Sequence, residues 1–172
     1  MTTAQPFSFH IDPGRPVSTG CNDPMDETLG EMLQTIFPLH TDEAILEWHG
    51  RKTALNYKYD ISMMLEDILR LLQELDANPS GKSVVAWVSN SFPYRWEVDW
   101  MNGTVSIRSS PLDPSRTGLP GIGLISGEIR GFVAEWRPVL NIIRSAAMKA
   151  GYDLSRFQDG KVLLTLQNKD LR

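Results

Sequence analysis

The chain has 172 residues, 41% hydrophobic and 22% charged, which suits one domain that buries a core without disulfides or metals. Cys21 is alone and the opening Met1-Thr2-Thr3-Ala4-Gln5-Pro6 has neither a basic stretch nor an apolar one, so the expectation is a cytoplasmic chain with no disulfide and no secretory signal. No apolar run approaches the ~20 residues that span a bilayer, and the net charge of −4 is divided: 13 Asp/Glu against 5 Lys/Arg in residues 1–80, then 8 against 12 in residues 81–172.

Residues 1–22, rich in Pro, Gly, Ser and Thr, read as an irregular arm or edge segment, and residues 23–172 as a single α+β domain. Asp23-Pro24 predicts a helix start, with Asp23 as cap and Pro24 at the first helical position. Asp26 and Glu27 suit the helix dipole, and Leu29, Met32, Leu33, Ile36 and Phe37 recur at helical spacing until Pro38. Leu46 and Trp48 alternate with Glu47, and beyond a turn at Gly50-Arg51 so do Leu55, Tyr57 and Tyr59 with their neighbours. That period of two predicts a hairpin. Asp60 is expected to close it and to cap a helix whose stripe is Ile61, Met64, Leu65, Ile68, Leu72 and Leu75.

A strand is predicted over 84–88, in which Trp87 alternates against Val84, Ala86 and Val88. Tyr94, Trp96, Val98 and Trp100 share one face of the next strand. Asn102-Gly103 predicts a type I′ turn, because both central positions need positive φ. The register follows: Met101 opposite Thr104, Trp100 opposite Val105, Val98 opposite Ile107, and Glu97 opposite Arg108 as an opposite-charge pair. Residues 110–125 read as a Pro/Gly loop, 126–150 as a long helix interrupted by Pro138 and ended by Gly151, and 162–166 as a last strand. The expected architecture is α+β, a mostly antiparallel sheet of about five to six strands with three main helices packed on it.

The motifs of chemistry fail one by one. Gly121-Ile122-Gly123 precedes a predicted helix, but Ser126 stands where a dinucleotide fingerprint needs Gly or Ala, and no buried strand leads into it. Gly81-Lys82-Ser83 ends like a phosphate loop but lacks the Gly five residues earlier, where Asp76 stands. His10, His40 and His49 are scattered. His10-Ile11-Asp12 and His40-Thr41-Asp42 are weak ligand pairs, and Cys21 has no basic neighbour to activate it. Glu66-Asp67 and Glu97/Asp99 are close pairs of carboxylates, the second on one strand face, that solvated faces explain. Arg130, Arg137, Arg144 and Lys149 make at most a mild basic stripe, so nucleic-acid binding is disfavoured. No catalytic, cofactor or metal residue is assigned, and no enzymatic activity is expected.

A protein-binding domain is the reading that survives. Its candidate surface is Asp26, Glu27, Glu31, Asp42, Glu43, Glu66, Asp67 and Glu74. In size, acidity, single-domain α+β layout and lack of catalytic motifs, the chain resembles the small cytoplasmic immunity proteins that bacteria make against polymorphic toxins, including contact-dependent and type VI effectors. The resemblance implies occlusion of a basic toxin domain's active site, and no family residue is carried over. A secretion chaperone, usually a dimer, is the first alternative. A ligand-binding or enzymatic pocket near 110–127, lined by Arg116, is the second. Partner identity and oligomeric state are left open.

Overall fold

The computed structural model describes residues 8–115 and 122–165, which carry seven strands and four α-helices. The class is α+β as expected, but the strands fall into two antiparallel sheets, β1-β2-β3 and β4-β5-β6-β7, rather than one sheet of five or six. Sheet one holds β1 (Phe9–Asp12), β2 (Ala44–Trp48) and β3 (Arg51–Leu55). Sheet two holds β4 (Ser80–Val88), β5 (Pro93–Met101), β6 (Thr104–Pro111) and β7 (Gly123–Glu128). The helices are α1 (Leu29–Ile36), α2 (Ser62–Ala77), α3 (Ile129–Lys149) and α4 (Gly160–Thr165).

Phe9–Asp12 is therefore a strand inside the segment expected to be irregular. It pairs with β2 and drives Phe9 and Ile11 into the core. Helix α1 begins at Leu29, not at Asp23-Pro24. Thr28 accepts the Glu31 N–H while the Glu31 carboxylate accepts from the Glu27 and Thr28 N–H groups, a complete capping box. Asp23 instead makes a local turn, its carboxylate accepting the Met25 N–H.

The β2–β3 turn is His49-Gly50, both at positive φ, one residue earlier than expected. Strand β3 also stops early. Asn56 accepts the Lys58 and Tyr59 N–H groups, turning Tyr57–Ile61 into one π-helical turn that runs into α2. Tyr57 and Asp60 thereby leave the predicted strand and become buried.

The Asn102-Gly103 hairpin forms in the expected register, from Met101 opposite Thr104 to Glu97 opposite Arg108. The Glu97 carboxylate nonetheless lies against Arg95, at 3.5 Å from Nε. Residues 123–125, expected to be loop, and 126–128, expected to be helical, together form β7 along β6, and α3 then runs unbroken through Pro138. Gly151, at φ 87°, ends it: its N–H and that of Tyr152 donate to the Met148 and Ala147 carbonyls. Of the predicted last strand, residues 162–165 lie in α4 and residue 166 lies outside the described residues.

Helix α3 contacts β1 and also β6 and β7, so it lies across both sheets. One cluster of buried apolar side chains includes residues of both sheets and all four helices. At its centre Trp96 meets Phe9, Trp48, Trp87 and Phe92 at ring-centroid distances of 5.2–6.3 Å. Trp87, whose side the alternation does not fix, is fully buried, and Val84, Ala86 and Val88 face solvent. Among the described residues no helix is long and apolar enough to cross a membrane.

Candidate functional site

The eight acidic residues of the expected surface lie in three places and have different environments. Asp26 is only 8% exposed, which removes it from the free surface, and its carboxylate accepts the Tyr152 hydroxyl at 2.5 Å. Glu31 is exposed, but its Oε2 accepts the Glu27 and Thr28 N–H groups at the cap of α1, and those backbone donors hold its pKa below the ordinary 4.5. Glu66 is half-buried on α2 and accepts the Leu29 N–H at 3.0 Å, joining α2 to the start of α1. Asp67 pairs with Arg70 at 2.9 Å, and Arg70 also reaches Asp159. Burial raises the Asp67 pKa, against the lowering effect of Arg70. Glu27, Asp42, Glu43 and Glu74 are exposed; Asp42 and Glu43 lead into β2, and Glu74 lies near the end of α2.

The structure thus gathers Asp26, Glu27, Glu31 and Glu66 around the first turn of α1, where three of the four carboxylates, those of Asp26, Glu31 and Glu66, accept bonds that serve the fold. The feature it adds there is Met25. This side chain is 76% exposed between Asp23 and Glu27, both also exposed. The segment beneath it is firmly held. Tyr152 accepts the Asp23 N–H at 2.8 Å and donates to Asp26, and the Arg156 guanidinium donates to the Pro24 carbonyl at 3.1 Å. Arg156 also lies 5.7 Å from the Phe157 ring centre, and residues 24–27 with Arg156 and Phe157 border an open depression of about 320 Å³. Burial, then the bond to Asp26, raises the Tyr152 pKa, so the hydroxyl stays a donor at neutral pH.

Tyr152 and Arg156 had no sequence signal linking them to residues 23–27. The link spans more than 120 positions and depends on how α3 ends. Met25 carried a weak signal, an apolar residue within Asp-Pro-Met-Asp-Glu. The rival helix start at Asp23-Pro24 would cover this stretch and masks that signal.

Three other polar clusters have structural roles. Asp60 is buried, and its carboxylate accepts the Asn56 N–H at 2.8 Å and the Ser91 hydroxyl at 2.7 Å, tying the π-helical turn to the β4–β5 connection. Glu135 on α3 accepts the Ile11 N–H at 2.9 Å and lies 2.7 Å from the exposed His10 ring. His49 Nε2 faces the Leu124 carbonyl at 3.0 Å, so in the neutral ring Nε2 carries the proton and Nδ1 accepts from the Ser8 hydroxyl at 2.8 Å. The Ser8–His49 pair has the separation of a nucleophile and its base. Its third partner is a backbone carbonyl of the other sheet, so the ring joins the β2–β3 turn to β7.

Two open depressions of about 710 and 740 Å³ adjoin the Asn102-Gly103 hairpin. Every ionisable side chain lining them is exposed, so neither offers the desolvated acid or base that catalysis needs. Arg116 and the loop to Gly121 lie outside the described residues. Among the described residues, no three His, Cys, Asp or Glu side chains gather as metal ligands, and Cys21 is exposed. No protein-family model, curated protein or solved structure matches the chain.

Proposed function

We propose that the chain is a protein-binding domain and, in its sharpest form, an immunity protein that covers the active site of a cognate toxin with a basic surface. The observation that carries the reading is the exposed Met25 between exposed Asp23 and Glu27, on a segment anchored by Tyr152 and Arg156. Because the backbone beneath Met25 is already held, a partner that buries this side chain has only its rotamer freedom to order and not the segment as well. Acidic residues around it favour a cationic partner and speed its approach. The acidic side chains serving the fold contribute to that field as charges rather than as contacts.

The test is affinity capture from the source lysate with wild-type chain, Met25→Asp and Glu27→Lys side by side. A basic protein retained by the wild type should be lost by both variants, and its enzymatic activity should fall when the wild-type chain is added. Met25→Ala should weaken binding roughly tenfold, the effect of about 1.4 kcal/mol at a buried anchor. A partner held equally by all three chains would sink this surface. A partner whose activity is unchanged on binding would sink the immunity role while leaving the binding role.

A further inference from the structure

Two sheets have four edges, and the chain protects three of them. At β1 the outward Ile11 N–H is taken by Glu135 at 2.9 Å. At β7 the Leu124 carbonyl is taken by His49 at 3.0 Å. Strand β3 has only five residues and begins with Arg51-Lys52, two adjacent charges of which Lys52 pairs with Glu47 at 3.9 Å. Strand β4 is the least protected of the four. It runs for nine residues, Ser80–Val88, with Lys82 as its one charge, and Asp99 of β5 neutralises that charge at 2.6 Å. Among the described residues its ladder bonds run to β5, with no strand on its other side. On the solvent face of the same strand, Val84 is 57% and Val88 63% exposed, with Ala86 between them.

We infer that β4 is the interface of a homodimer, pairing antiparallel with β4 of a second copy across a two-fold axis at Val84. The midpoint of Ser80–Val88 is Val84, so this register pairs the whole strand: Val84 with its own copy, Lys82 with Ala86, and Ser80 with Val88. The single charge meets an alanine rather than itself, and no acidic residue lies on the strand. A second copy is the occupant because this register sets the exposed Val84 against its own twin while keeping the two Lys82 side chains apart. The product is one eight-stranded sheet in which the outward backbone groups of β4 are satisfied. None of the acidic residues near α1 takes part, so the dimer stands or falls independently of the proposed function.

Sedimentation velocity across a concentration series of the full chain is the test, with Val84→Lys and Cys21→Ser/Val84→Cys beside the wild type. The wild type should move from the mass of one 19.4 kDa chain towards twice that as concentration rises. Val84→Lys, at an exposed position, should keep the melting temperature of the dilute, monomeric wild type and remain monomeric, because it sets two like charges opposite each other. Mild oxidation should link Cys21→Ser/Val84→Cys into a covalent dimer, and Cys21→Ser/Leu124→Cys should stay unlinked. A wild type that is monomeric throughout would overturn the inference. So would a dimer that survives Val84→Lys while the Cys21→Ser/Val84→Cys variant fails to link, or a monomer that binds only extended peptides.

Discussion

Tyr57 shows what one side chain gains from leaving its predicted strand. Its ring packs on Phe37 at 4.9 Å, and its hydroxyl donates to the Pro13 carbonyl at 2.8 Å, tying residues that precede α1 to the π-helical turn. Burial, with a smaller contribution from the charge of Asp12, raises its pKa well above the ordinary 10.0. The folded chain therefore keeps a proton that the unfolded chain releases near pH 10. Stability from this group is full below that pH and is lost as pH climbs towards the folded value. Tyr152, also raised, acts in the same direction. Urea midpoints measured from about pH 9 to about pH 11 should fall for the wild type and fall less steeply for Tyr57→Phe. At neutral pH that variant should lose about 1 kcal/mol with its hydrogen bond. Identical alkaline slopes would show that Tyr57 is not the titrating group.

At the scale of elements, Gly81 explains itself only in the folded chain. Its sequence neighbourhood resembled the end of a phosphate loop; its role is to leave room for an indole. A Cβ there would lie 2.2 Å from the Trp100 ring, whose Nε1 is tied to the Asn78 carbonyl at 3.1 Å, so the ring cannot simply swing away. Gly81→Ala should cost about 1–3 kcal/mol by overpacking, measured by urea unfolding. Gly81→Ala combined with Trp100→Leu should cost less than the sum of the single changes. Strictly additive costs would show that the two residues do not compete for space. The elements legible in advance were those whose signal is local: the α2 stripe, the Asn102-Gly103 hairpin with its register, and Gly151 at the end of α3. The stripe and the end of α1 are legible too, but its start is not, although Thr28-x-x-Glu31 is a local signal, because Asp23-Pro24 offers a rival start five residues earlier. Residues 126–128 and 162–165 were misassigned for a different reason. Short segments of this kind fit either state, and β6 pairing decided the first of them.

For the molecule as a whole, the aromatic centre is where the two sheets become one structure. Trp96 contributes from sheet two and meets Phe9 and Trp48 from sheet one. The indole N–H groups of Trp48, Trp87, Trp96 and Trp136 have no acceptor among the described residues, so the centre is held by packing and ring geometry. Trp96→Ala should lower stability by about 3–5 kcal/mol, a large share of the ~5–15 kcal/mol of a typical domain. The loss should leave far-ultraviolet and near-ultraviolet circular dichroism transitions coincident, since no sheet keeps a core of its own. Two separated transitions would mean that the sheets fold independently.

The order of amino acids by itself determined the α+β class, the inward faces of β2, β5 and α2, and the central hairpin with its register. Each depends on periodicity or turn chemistry within about ten neighbouring residues. Only the tertiary structure decided that there are two sheets, that β1 joins the first, that Asp26 is buried and that Met25 is not. Those outcomes depend on partners such as Tyr152, Arg156 and Glu135, more than 120 positions away. A carboxylate looks the same in sequence whether it caps a helix, bonds a buried tyrosine or faces solvent. What separates Glu31, Asp26 and Glu27 is which donors the fold brings to each of them.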